Sequence, residues 1–94
     1  QAILEEVADA DLLAAGWPCP LLEPLQALSD HRLANVLRRW LTRTHVLATP
    51  SESQLLALMR QVRACQTRGH HIRLKVGQGL VVRHEQGLQW LPDL

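Results

Sequence analysis

The 94-residue chain has no phenylalanine and no tyrosine, and its aromatic content is three tryptophans. Reading unstacked single-stranded bases needs aromatic platforms. Trp17, Trp40 and Trp90 read as core or connector residues, which argues against that mode of recognition. Lysine is nearly absent too: Lys75 is the single lysine among ten basic residues, and the others are arginine. No apolar run approaches the roughly 18 residues that span a bilayer, and nothing resembles a signal peptide. No membrane partner is expected. The cysteines are few: Cys19 and Cys65 lie far apart, without a Cys-x-x-Cys. They read as free thiols in a reducing cytoplasm. The chain opens on Gln1 and its one methionine is Met59, which points to a piece of a longer protein.

Catalytic signatures are missing as well. No Gly-rich loop opens a helix; the "GQG" of residues 77–79 sits between two strands and reads as a turn. No serine occupies a nucleophile elbow. Asp9 and Asp11 are two apart on a helix and read as solvated, not as a catalytic pair. No histidine pair has the i, i+4 spacing of a helical metal site. His70 and His71 fall at a helix-to-strand junction. No catalytic, cofactor-binding or metal-binding residue is expected in this chain.

Charge is present but unevenly placed. The first thirty residues carry Glu5, Glu6, Asp9, Asp11, Glu23 and Asp30 and no Lys or Arg. All ten cations follow them, while the whole chain nets +1. Arginine presents a planar fork that grips phosphate or carboxylate through two bonds. An arginine-dominated body therefore implies an anionic partner, or else internal neutralisation by the acidic segment.

Periodicity sets the architecture. Residues 2–15, "AILEEVADADLLAA", predict a helix stopped by Gly16. "GWPCPLLEP" (16–24) holds three prolines and cannot be helical; it reads as a tight connector pinned by Trp17 and Leu21. A short helical turn is expected over 24–28. Ser29 caps the next helix, about 30–43, whose stripe is Leu33, Val36, Leu37, Trp40 and Leu41. "HVLATP" is a linker. The following helix begins at "TPSE", with Thr49 as cap, Pro50 in the first turn and Glu52 completing a capping box. Its stripe is Leu55, Leu58, Met59 and Val62, and it should end near Gly69.

The period then changes from 3.6 to 2. "IRLKV", "LVVRH" and "LQWLP" predict three strands separated by two turns. Ile72, Leu74 and Val76 face inward, leaving Arg73 and Lys75 on the other face. The fold class is α+β: about three helices, then a small three-stranded antiparallel meander that needs the helices against it.

The arginines are the candidate site. At 100° per residue, Arg32, Arg39 and Arg43 fall within roughly 40° of one another, beside the apolar stripe. Arg38 lies further toward solvent. Arg60 and Arg63 pair by i, i+3. Arg68, Arg73, Lys75 and Arg83 continue the basic supply into the sheet region. Contact with the backbone phosphates of a folded RNA or a duplex fits this set, and some of these arginines can pair with the acidic first helix instead.

The order of features resembles the domain that follows the catalytic core in bacterial tRNA(Ile)-lysidine synthetases. The resemblance rests on Leu28-Ser29 opening a helix and Arg38-Arg39-Trp40-Leu41 closing its basic stretch. Pro50, Ser51 and Leu55 open the next helix. The strands then bring Gly77, Arg83, Trp90, Leu91 and Pro92, and "ADADL" at 8–12 resembles the lead-in helix. The chain departs from the pattern at "TRGHH" before the first strand and at Val82-Arg83-His84.

The resemblance implies residues 1–16 as a leading acidic helix, the link to a catalytic domain, and 17–94 as a tRNA-engaging domain. It implies a parent ligase in the cytoplasm that uses ATP and Mg2+ in its catalytic domain to attach lysine to the wobble cytidine of isoleucine tRNA. The phosphate loop of that domain is absent here, so the implied partners are tRNA and the parent's own catalytic domain. Two other readings stand beside it. One is a winged-helix-like DNA-binding module using the third helix with Arg60, Gln61 and Arg63. The other is a docking domain marked by an apolar patch at Ile3, Leu4 and Val7.

Overall fold

The computed structural model describes residues 2–93, with side chains described from Glu6 onward. Four α-helices precede a three-stranded sheet: α1 (Ala2–Ala15), α2 (Leu22–Gln26), α3 (Asp30–Thr44) and α4 (Glu52–Ala64), then β1 (Arg73–Val76), β2 (Gly79–His84) and β3 (Gly87–Pro92). The short turn expected near 24–28 is α2, and the linker after α3 holds a 3-10 turn, Val46–Ala48. The α+β reading holds.

Helix ends follow local chemistry. Gly16 takes φ +109° just past α1, a conformation that favours glycine. The Ser29 hydroxyl accepts from Arg32 N at 3.3 Å and caps α3. Helix α4 starts two residues later than the Thr49 cap predicts. Ser51 is the cap and Gln54, not Glu52, completes the capping box: Gln54 N donates to Ser51 Oγ at 3.1 Å and Ser51 N to Gln54 Oε1 at 2.9 Å. A glutamine at that position closes the box as a glutamate does. The same Gln54 oxygen accepts from Gly77 N at 3.2 Å, tying the helix start to the β1–β2 turn. Helix α4 stops at Ala64, short of Gly69, because Gln26 Nε2 takes the carbonyls of Val62 and Cys65 at 2.9 and 2.8 Å.

The strands run antiparallel in the order β1-β2-β3. The register sets Leu74 opposite Val81 and Val81 opposite Trp90 on the inward face. Arg73, Val82 and Gln89 form one outward row; Lys75, Leu80 and Leu91 form another. The two-residue turn Gly77–Gln78 puts Gly77 at φ +61°, where a Cβ would strike Leu47 and Ala48 backbone.

The core lies between the helices and the inward sheet face. Leu33, Val36, Leu37, Trp40 and Leu41 of α3 are all buried, together with Leu12, Leu25, Leu55, Leu58, Val62, Val76, Val81 and Leu88. Burying side chains of this size stabilises by about 1.5–3 kcal/mol each. Helix α1 joins that same core through Leu12 and Ala15. In the connector, Leu21 is largely exposed, and its contribution is made by the backbone, which bridges Gly87. Ile3 and Leu4, two of the residues of the expected apolar patch, lie outside the described side chains, while Val7 is exposed.

Candidate nucleic-acid interface

The ten cations separate into two groups. On α3, the stripe Arg32, Arg39 and Arg43 meets the aspartates of α1. Arg32 grips Asp11 with two nitrogens, Nε lying 3.0 Å from Oδ2. Arg39 grips Asp9 likewise, at 2.7 and 3.3 Å, and Arg43 Nη1 donates to the same carboxylate at 3.2 Å. Asp9 and Asp11 are therefore ion-paired, Asp9 while still partly exposed, since three long arginine stems reach across the helix crossing. The Arg39 hydrogen bond holds the Asp9 carboxyl below its ordinary range; desolvation, the next largest influence, opposes it, and the charges of Arg39 and Arg43 add to the lowering. The Asp11 hydrogen bond raises the Arg32 guanidinium above its usual value.

Two further arginines hold the chain together. Arg63 donates to the carbonyls of Gln26 and Leu28, both at 2.6 Å, and to Asp30 at 3.0 Å. Arg83 alternates onto the inward sheet face, where its guanidinium closes the loop before β1. It donates to the carbonyls of Thr67, His70 and Glu85 at 2.6, 2.7 and 2.8 Å, and lies 3.3 Å from Cys65 Sγ. That loop carries the adjacent His70 and His71.

The second group faces solvent. Arg60, Arg68, Arg73 and Lys75 are exposed, with no acidic or carbonyl partner among the described residues. Among the described residues, the Arg38 guanidinium has a hydrogen bond to Asn35 alone, at 3.4 Å. Arg73 and Lys75 stand on β1, at one edge of the outward sheet face, and Arg68 lines a polar cleft with Gln66 and Gln86. Among the described residues, no helix covers the outward sheet face. It presents Arg73, Lys75 and His84 beside partly exposed Leu80, Val82, Gln89 and Leu91. His84, Gln89 and the apolar members of this face were not predicted as site residues; period-two alternation from Arg73 would have found them.

Among the described residues, no group of three or more His, Cys, Asp and Glu is arranged to hold a metal. Gly77 lies in the β1–β2 turn and Gly79 opens β2, so the "GQG" segment is a turn between strands, as expected. Among the described residues, no helix is long and apolar enough to cross a membrane. Cys19 and Cys65 are unpaired.

A sequence profile described as the TilS substrate binding domain matches residues 21–89. The chain belongs to the TilS substrate-binding domain family. The matched span runs from Leu21 into β3, so it holds all ten cations and the outward sheet face apart from Leu91, and omits α1. Relatives extend further. A protein of Polaromonas naphthalenivorans named tRNA(Ile)-lysidine synthase is 55% identical, over 88% of this chain and 24% of the relative. One of Bordetella pertussis with the same name is 36% identical, over 97% of this chain and 30% of the relative. The chain thus spans about a quarter to a third of the curated relatives it matches. No solved structure shows a significant match.

Proposed function

We propose that this domain holds tRNA for a parent tRNA(Ile)-lysidine ligase, meeting the RNA backbone with the outward face of its sheet. Arg73 and Lys75 are the central phosphate contacts, and Arg38, Arg60 and Arg68 are further solvent-facing cations available to phosphate elsewhere on the domain. One observation carries the reading. Three of the four cations of α3, Arg32, Arg39 and Arg43, are committed to α1, whereas among the described residues Arg73 and Lys75 stand without partners on a sheet face that no helix covers. Unpaired cations on an uncovered face bind phosphate without first breaking an internal ion pair. The names of the relatives supply the RNA class, and the catalytic step with its ATP and Mg2+ belongs to the remainder of the parent. Two unpaired thiols accord with a cytoplasmic setting.

A DNA-reading role for α4 is weakened because Arg63 is turned onto the Gln26 and Leu28 carbonyls, leaving Arg60 as the one outward cation of that helix among the described residues. The experiment is fluorescence anisotropy of the 94-residue chain with labelled isoleucine tRNA and with a DNA duplex of similar charge, each across a salt series. Tighter, salt-sensitive binding to the tRNA is expected. Equal affinity for both would reduce the face to a generic electrostatic surface, and no binding at low salt would sink the reading.

A further inference from the structure

The chain's three tryptophans converge. Trp17, Trp40 and Trp90, with Arg43, Thr44 and Gln89, line one open cleft of about 290 Å³ beside the edge strand β3. Both inner indoles are pinned by their nitrogens: Trp40 Nε1 donates to Pro18 O at 2.7 Å and Trp90 Nε1 to Val76 O at 3.0 Å. What they offer the cleft is therefore carbon surface. Trp17 is different. It stays 37% exposed, with the Arg43 guanidinium carbon 5.1 Å from its ring centroid.

The lining selects a ligand class. No carboxylate lines the cleft, which disfavours a cation. Its volume sits at the small end of the ~300–1,000 Å³ typical of ligand pockets, suited to one flat ring system. The Gln89 amide has no hydrogen-bond partner among the described residues and carries both a donor and an acceptor, as a base edge requires. Asp9 holds Arg43 at 3.2 Å, so the guanidinium serves as a fixed stacking plane. Stacking on an indole or a guanidinium, plus edge hydrogen bonding, is how proteins take up an unstacked base. Gln89 also shares a cross-strand row with Arg73, so one RNA segment crossing the sheet meets both.

We propose that this cleft binds a single unstacked nucleotide of the bound tRNA. The base lies against Trp17 and Arg43, and its edge meets Gln89. The inference rests on the tRNA reading above and adds a base-level contact that the scarcity of aromatics argued against.

The test compares the chain with its Trp17→Ala, Trp17→Phe and Gln89→Ala variants, circular dichroism confirming that each folds. Each is titrated with isoleucine tRNA, with a short single-stranded oligoribonucleotide, and with that oligonucleotide made abasic. Tryptophan quenching and anisotropy are the readouts. The intact oligonucleotide should quench and the abasic one should not. Trp17→Ala should lose about tenfold in affinity with an unchanged salt slope, because stacking and not a phosphate contact is removed. Trp17→Phe should recover most of the loss, and Gln89→Ala should weaken the intact oligonucleotide alone. Trp17→Ala binding tRNA as tightly as the parent chain, or abasic RNA binding as tightly as intact RNA, overturns the cleft and leaves the tRNA reading standing. Quenching by the oligonucleotide without any tRNA affinity overturns the tRNA reading and, with it, the assignment of the nucleotide to tRNA, leaving only a base-binding cleft. Binding to neither overturns both.

Discussion

The Asp9 carboxylate holds Arg39 through both of its oxygens, at 2.7 and 3.3 Å, and so joins the acidic helix α1 to the basic helix α3. Because this pairing lowers the Asp9 pKa, its contribution is fully present above the ordinary carboxylate value near 3.8. It is lost as pH falls through the lower folded value. Asp9→Asn should melt earlier than the parent chain at neutral pH and should converge with it as the pH falls below that range. High salt should narrow the neutral-pH difference, since the pair is partly exposed. Thermal melts across pH and salt check this; a difference independent of both would mean that the ion pair contributes nothing.

Arg73 and Lys75 lie two residues apart on one face of one strand, and they should act as independent phosphate contacts. Arg73→Ala and Lys75→Ala should each weaken tRNA binding, reducing the salt slope by about 0.7–0.9, with the double variant losing about twice that. Neither residue is buried or partnered among the described residues, so stability should move by no more than about 0.5 kcal/mol. Arg39→Ala should show the opposite pattern, an earlier melt with a small change in slope. A salt slope insensitive to both sheet cations would place the RNA elsewhere.

The contrast between these two sites shows what was legible in the sequence. Helix stripes, strand alternation and the two β-turns are local patterns, and they placed the core residues of α3 and the outward position of Arg73 and Lys75. The pairing of Asp9 with Arg39 is not local. It depends on how two helices separated by a proline-rich connector cross, and periodicity carries no information on that angle. Arg83 is a different case. Once Ile72, Leu74 and Val76 face inward and the turn holds two residues, the register carries Val81 and Arg83 to the inward face with them. The sequence contained that answer, and counting arginines as a single class concealed it. The tryptophan cleft was hidden for the same reason as the Asp9 pair, since its members come from the connector, α3 and β3.

Arg83 should behave as a structural residue. Its guanidinium ties together three carbonyls, those of Thr67 and Glu85 in exposed bonds and that of His70 in a part-buried one. Arg83→Ala should cost about 1.5–3 kcal/mol, the range for hydrogen bonds to a charged group. Lysine should restore only part of this, because a single ammonium cannot reproduce the fork. At a temperature where the variant is still folded, tRNA affinity should be close to that of the parent chain. A strong loss of affinity from a fully folded Arg83→Ala would instead make Arg83 an RNA contact.

Of the two glycines within the strands, Gly79 should be the more sensitive. A Cβ there would overlap the Leu91 carbonyl oxygen and the six-membered ring of Trp90. Trp90 cannot swing aside freely, because its Nε1 is bonded to Val76 O and its ring is stacked on His45 at 6.1 Å between centroids. Gly79→Ala should therefore cost about 1–3 kcal/mol, the range for overpacking a filled site. For a domain of this size each kilocalorie lowers the melting temperature by roughly 4–8 °C. Two contacts contribute, one with backbone and one with a side chain, and they separate in a double-mutant cycle. Trp90→Leu removes only the ring. The pair Gly79→Ala/Trp90→Leu should then be less destabilised than the sum of the two single variants, by about 0.5 kcal/mol or more. Strict additivity would mean that the strain falls on the Leu91 carbonyl alone and that the indole does not set the size limit at position 79.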